Sequence, residues 1–162
     1  MKIVPCYYAG DKMPWANSII SGNLVFLSGA EGRDPNKKQE YPELVEPAES
    51  PVPASVEEQT LIIWNKIKER LEDVGSSLEN IIVINYYLQK REYWQPALRV
   101  MMEYWRKNCP DILERPRVGT LLTNVGLDRE DMKIEIEVIA ELARKRQRQR
   151  AGSSRRRARR GR

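Results

Sequence analysis

The chain has no histidine among its 162 residues, and that absence excludes a great deal. No Ser-His-Asp triad, Cys-His pair or histidine-bearing zinc site can be built from it. Acid–base work falls to Glu, Asp, Tyr, Lys or a positioned water. Cysteine is scarce too: Cys6 and Cys109 stand alone without C-x-x-C spacing. They predict neither a metal knuckle nor a redox pair, only ordinary thiols in a reducing compartment. Apolar runs are short. None approaches the roughly 20 residues of a membrane span, and no signal-like segment precedes the first strand-like run. The expectation is a soluble cytoplasmic protein that calls for no metal and no cofactor.

The net charge of +5 conceals two unlike regions. Residues 144–162 hold 11 Lys/Arg and no acid, while residues 1–143 hold 17 basic against 23 acidic side chains, a net of −6. The division predicts one domain over 1–143, long enough to bury a core, and a basic tail over 144–162. Arginine-rich segments neutralise phosphates and release counterions, so the tail could hold nucleic acid. The same composition suits a solvated tail without a partner, or a segment of artificial origin at which "GSS" hints.

Along the body, "ANSIISG" and "NLVFLSG" (16–29) are two β-prone runs joined by Ser-Gly-Asn and predict a hairpin. Residues 34–53 are polar and proline-rich, the centre of a long surface loop spanning 30–54. Ser55 and Glu58 form an S-x-x-E capping box that opens a helix. Val56, Thr60, Ile63, Trp64, Ile67, Leu71 and Val74 give it one apolar face, and Gly75 ends it. "IIVINYYL" (81–88) predicts a strand. A second helix follows over about 91–107, with Trp94, Leu98, Met101 and Trp105 as its core stripe and Pro96 in the first turn. Strands at 118–123 and 133–142 close the chain. In the last one Ile134, Ile136 and Val138 face one way, and Lys133, Glu135 and Glu137 the other. Helices this apolar on one side must cover one face of a sheet, which predicts a two-layer α+β domain. The other sheet face is left for self-association.

The segments "PWANSIISGNLVFLSGA", "VGSSLENI", "MEYW", "RPRVGT" and "MKIEIEVIA" resemble, in order and spacing, the signatures of the Rid (YjgF) family over about residues 14–142. The resemblance implies a chorismate-mutase-like trimeric fold, a mixed sheet with two helices on one face, and imine/enamine deaminase activity in clefts between subunits. It assigns the carboxylate-binding arginine to Arg117 and the water-positioning glutamate to Glu135. Trp15, Gly29 and Gly119 line the same pocket. Arg115 is expected outside it, and Glu137 is expected to be structural, paired with Lys133. Trp15 stands where the family carries tyrosine, Gly119 where it often carries cysteine, and Leu98 where it often carries asparagine. These departures bear on the substrate more than on the chemistry. A planar guanidinium grips a carboxylate by two parallel hydrogen bonds, and a nearby glutamate can deprotonate the water that attacks an iminium carbon. The implied partners are two further copies of the chain and a small carboxylate-bearing substrate. The alternatives are a non-deaminating small-molecule binder of the same family and an RNA-associated protein acting through the tail.

Overall fold

Ser55 starts the first helix, α1 (Val56–Asp73), by accepting a hydrogen bond from the Glu58 N–H at 3.1 Å. The return arm of the box differs from the sequence expectation: the Glu58 carboxylate accepts the Ser55 hydroxyl at 3.0 Å instead of reaching the Ser55 N–H. At the far end Gly75 adopts φ +81°. This lets Ser76 N–H reach Leu71 O at 2.8 Å and Gly75 N–H reach Glu72 O at 3.0 Å, which satisfies the last helical carbonyls. The computed structural model describes residues 1–8, 11–33, 52–115 and 117–143. The basic tail 144–162, and the expected surface loop from 34 to 51, lie outside these.

Seven strands form one sheet: β1 (Lys2–Tyr8), β2 (Asp11–Ser21), β3 (Leu24–Leu27), β4 (Ala30–Glu31), β5 (Ile81–Leu88), β6 (Val118–Thr123) and β7 (Ile134–Glu141). Their order is β1-β2-β3-β7-β5-β6, with β4 also on β7. Neighbours are antiparallel except β5 and β6. That pair is parallel because the chain crosses over through α2 (Trp94–Asn108) and the single turn α3 (Asp111–Glu114) before entering β6. The β2–β3 hairpin turns at Gly22, with φ +61°, where the Ser-Gly-Asn signal placed it. Residues 91–93 form a tight 3₁₀ turn ahead of α2.

Strand β1 is absent from the sequence reading, and β2 begins five residues earlier than the expected Ala16. Pro5 explains the omission, because proline within a short apolar run argues against a strand. Here it sits on the sheet edge at a register shift, where a missing N–H loses no ladder bond.

Alternation along β7 sorts the sheet into two faces. Ile134, Ile136, Val138 and Ala140 are buried against the helix layer, which is centred on Trp64 packed edge-on to Trp105 at 5.1 Å. Glu135 and Glu137 point to the other face, with Asn85 and Tyr87 beside them by register. That face is open among the described residues and exposes Ile3, Phe26, Val118 and Leu122. The predicted two-layer α+β arrangement, with helices on one side only, is the one observed.

Two buried residues of α1 are polar, Gln59 and Thr60, and Thr60 donates its hydroxyl to Val56 O within the helix at 2.7 Å. Gln59 is fully buried. Its Nε2 donates to Pro53 O at 2.7 Å and Asp131 O at 2.9 Å, and its Oε1 accepts from Lys133 N–H at 2.8 Å. Gly32 packs so closely that a Cβ there would lie 2.5 Å from the Gln59 Cβ. Gln59→Leu keeps the volume but strips part-buried hydrogen bonds from three backbone groups, each worth about 1–3 kcal/mol when left unsatisfied. Urea denaturation should show a loss of at least about 2 kcal/mol, with a nearly unchanged slope.

Candidate active site

Glu135 and Gly29 lie in one place on the chain, and Arg117 and Gly119 in another. Glu135 lies near the start of β7, directly opposite Tyr87 of β5 and Glu31 of β4. Gly29, in the bend before β4, is the other half of this place. A Cβ at Gly29 would stand 1.8 Å from Glu135 Oε1, so the carboxylate lies against the bare backbone of that bend. Burial raises the Glu135 pKa first, and the charges of Glu31, Glu137 and Asp128 add to the rise. Arg33 opposes it. Arg33 is nearly buried and bridges Glu31 at 2.8 Å and Asp128 at 2.7 Å, so its charge is shared among carboxylates.

Glu137 does not pair with Lys133. It accepts hydrogen bonds from Asn85 Nδ2 at 3.1 Å and Tyr87 Oη at 3.3 Å, and the Lys133 ammonium lies 5.7 Å from the Tyr93 ring centre. Tyr87 is raised in pKa, by burial first and then by Glu137. Sequence reasoning missed Tyr87 and Asn85 because both sit in an apolar strand run. Period-2 alternation from Ile84 would have put them on the face of the glutamates.

Arg117 enters β6 from the opposite end of β5. Its guanidinium donates to Glu79 O at 2.9 Å and to Arg115 O. Burial, and then the neighbouring Arg115, lower its pKa. Arg117 lines a groove of about 440 Å³ between α2 and β6, together with Gly119, Leu98, Met101 and Trp105. Arg115 also lines this groove, which corrects the expectation that it lies outside. Gly119 is glycine for a backbone reason: a Cβ there would fall 1.8 Å from the Ile84 carbonyl oxygen. Trp15 is half exposed on β2, and its neighbour Ala16 accepts the Ser28 hydroxyl at 2.6 Å, one residue before Gly29.

Arg117 and Glu135 do not meet within one chain. Val118 pairs with Val83 and Glu135 with Tyr87. Arg117, one residue before Val118, is therefore offset from Glu135 by roughly 16 Å along the sheet and about 10 Å across it, at ordinary strand spacings. Glu135 is on the open face, and Arg117 lines a groove on the helix side. Among the described residues no three His, Cys, Asp or Glu side chains are grouped to hold a metal ion. Cys6 and Cys109 are both buried free thiols, and burial pushes Cys109 up to about 11.

The raised pKa of Glu135 has a sign that can be tested. A carboxylate that holds its proton more tightly in the folded state destabilises the fold as pH rises from about 4.3, the ordinary Glu value, through the raised value. Above that window the penalty is complete; below it there is none. Glu135→Gln should therefore match the wild type in acid and become the more stable protein as pH rises, read by urea unfolding across that range.

Comparison with known proteins agrees with this fold. Residues 10–142 match the family model described as endoribonuclease L-PSP. Protein mmf2, mitochondrial, of Schizosaccharomyces pombe is 29% identical over 128 residues, covering 78% of this chain and 86% of that protein. A RutC family protein of Pyrococcus abyssi is 28% identical over 127 residues, covering 78% and 85%. Among solved structures, E. coli TdcF with bound serine superposes with a TM-score of 0.66 at 20% identity, over 88% of this chain and 100% of that one. Yeast Mmf1 gives 0.64 at 20% identity, over 88% and 95%. The resemblance read from the motifs is thereby borne out: the chain belongs to the endoribonuclease L-PSP family, whose solved members carry the YjgF name.

Proposed function

We propose that the chain hydrolyses 2-imino and 2-enamino acids to 2-keto acids and ammonia, in clefts that neighbouring copies complete within a homotrimer. The observation that carries this reading is Glu135, a part-buried carboxylate with raised proton affinity, set against a bare glycine bend on an open sheet face. Such a group binds a proton more tightly than an ordinary carboxylate, which suits it to take one from water. Arg117 supplies the planar cation for the substrate carboxylate, and the distance between the two within one chain is a reason for a shared site. The open face, with its exposed Ile3, Phe26, Val118 and Leu122, is the surface a trimer would cover.

In this mechanism Arg117 fixes the carboxylate plane, and the adjacent iminium carbon is already electrophilic. Glu135 removes one proton from water as its oxygen bonds to that carbon, and the C=N electron pair moves to nitrogen. Glu135 then returns the proton to the amino nitrogen of the tetrahedral adduct. The C–N bond breaks, the hydroxyl proton passes to the departing ammonia, and 2-keto acid and ammonium leave. Gly29 keeps the carboxylate at the bend, and Trp15 and Gly119 belong to the walls of the cleft. A cytoplasmic location goes with this reading; the fission-yeast relative is named as mitochondrial.

Losing a charged bidentate contact costs about 2–5 kcal/mol. Arg117→Ala and Glu135→Gln should therefore each lose at least tenfold in kcat/KM on freshly generated 2-aminoacrylate. When the two inactive variants are unfolded together and refolded, trimers that pair an intact Arg117 with an intact Glu135 across an interface should recover part of the activity. No recovery would place both residues' work within single chains. Wild-type rates equal to uncatalysed hydrolysis on all imino acids would make the protein a non-deaminating binder.

A second reading attaches to the tail, because 11 of its residues are Lys or Arg while the body is net negative. Truncation after Ala143 should abolish RNA binding and leave imine hydrolysis unchanged. In the full chain, affinity should fall with salt at about −0.7 per phosphate neutralised on a log–log plot. RNA binding by the truncated body would move that function to the fold.

A further inference from the structure

The groove between α2 and β6 has a composition that speaks to what enters it. Its volume of about 440 Å³ is of the size that small-molecule sites occupy, far more than a three-carbon imino acid fills. Among the described residues both lining cations, Arg115 and Arg117, come from the segment leading into β6, and no carboxylate lines the groove. Along α2 the wall is Trp94, Leu98, Met101 and Trp105, faced across the gap by Leu121. The two hydroxyl-bearing residues in the lining turn away or are tied down. Tyr86 Oη lies 3.1 Å from Met101 Sδ, and Thr120 shares the register position of Asn85 on the opposite face of the sheet. The Trp94 ring meets Tyr86 edge-on at 5.1 Å and 64°, an aromatic surface of the kind that receives another ring. Met101 and Met102 add polarisable thioethers that fit irregular apolar shapes.

We propose that this groove makes the site selective for 2-imino acids with a bulky apolar or aromatic side chain, the carboxylate held at the Arg115–Arg117 end and the side chain laid along α2 toward Trp94. The inference rests on the deaminase reading for the reacting group, and on the groove alone for the side chain. A polar or charged side chain would lose its hydration there without a partner. A one- or two-carbon side chain would leave most of the apolar wall uncovered.

Two readouts test it separately. The first is binding of stable 2-keto acids, phenylpyruvate against pyruvate, followed by calorimetry and by the fluorescence of Trp94 and Trp105. Phenylpyruvate should bind at least tenfold more tightly, since even a single methylene in an apolar pocket is worth about that much. Leu121→Trp, at a position 40% exposed, should obstruct the groove and remove the preference while leaving pyruvate binding in place. Leu98→Trp does the same from the helix side, and Arg117→Ala should weaken both acids. Equal affinities, or a preference unaltered in both tryptophan variants, overturns the proposal. The second readout is kcat/KM on imines freshly generated from phenylalanine, leucine and alanine, expected to favour the first two at least tenfold. Hydrolysis that favours the alanine imine refutes the groove's role and leaves the deaminase standing. No hydrolysis of any imine, with the phenylpyruvate preference and its loss in Leu121→Trp intact, refutes the deaminase and leaves the groove's selectivity standing.

Discussion

One buried amide sets where the last strand begins. Gln59 receives the Lys133 N–H and donates to the Asp131 carbonyl, so the chain is held on both sides of Met132 just before β7 starts. In a strand with period 2, a slip of one residue exchanges the two faces completely. The Gln59 hydrogen bonds therefore do more than satisfy backbone groups: they keep Ile134 under the helices and Glu135 on the open face. The same side chain packs on Gly32, between Glu31 and Arg33, the two residues whose charges act on Glu135. A single position of α1 thus fixes both the carboxylate and its electrostatic surroundings.

Those surroundings are costly by construction. Glu135 is part-buried, with Glu31, Glu137 and Asp128 near enough to raise its pKa and one arginine shared among them. Asn85 and Tyr87 both donate to Glu137, which holds that carboxylate beside Glu135. A fold selected only for stability would place apolar residues here. Retained carboxylates with split environments are a common form of acid–base site.

The sequence was most legible where one local rule decides an element. Ser55 and Glu58 open α1, Gly75 closes it, and alternation along residues 134–140 gave the two sheet faces correctly. It was least legible where a long-range partner overrides the local signal. Pro5 hid an edge strand whose existence depends on β2 lying beside it. Gln59 is absent from the sequence reading, because its three partners lie before and far after it in the chain. Arg115 was expected outside the pocket, yet it lines one groove with Arg117 and with Ile112 and Leu113 of α3. The lining of that groove was visible as the Trp94–Leu98–Met101–Trp105 stripe, but the stripe was read as core. Part of it is core, since Met101 and Trp105 are buried; the remainder faces the space that α2 leaves beside the edge strand.

The edge position of β6 ties the groove to the proposed assembly. A sheet edge offers unpaired backbone groups and is normally covered or paired, and here Val118, Leu121 and Leu122 are exposed along it. Glu135 sits on the open face and Arg117 at this edge, so in the proposed mechanism neither half of the chemistry would be complete on one copy. A neighbouring subunit that packs its open face near the edge of β6 would bury the apolar surface, satisfy the edge and bring a second chain's Glu135 toward Arg117. The apolar groove on the helix side of the same strand would stay available to the substrate's side chain. Assembly, catalysis and side-chain selection then converge on one strand, which is why Gly119, whose missing Cβ lets β6 lie against Ile84, matters to all three.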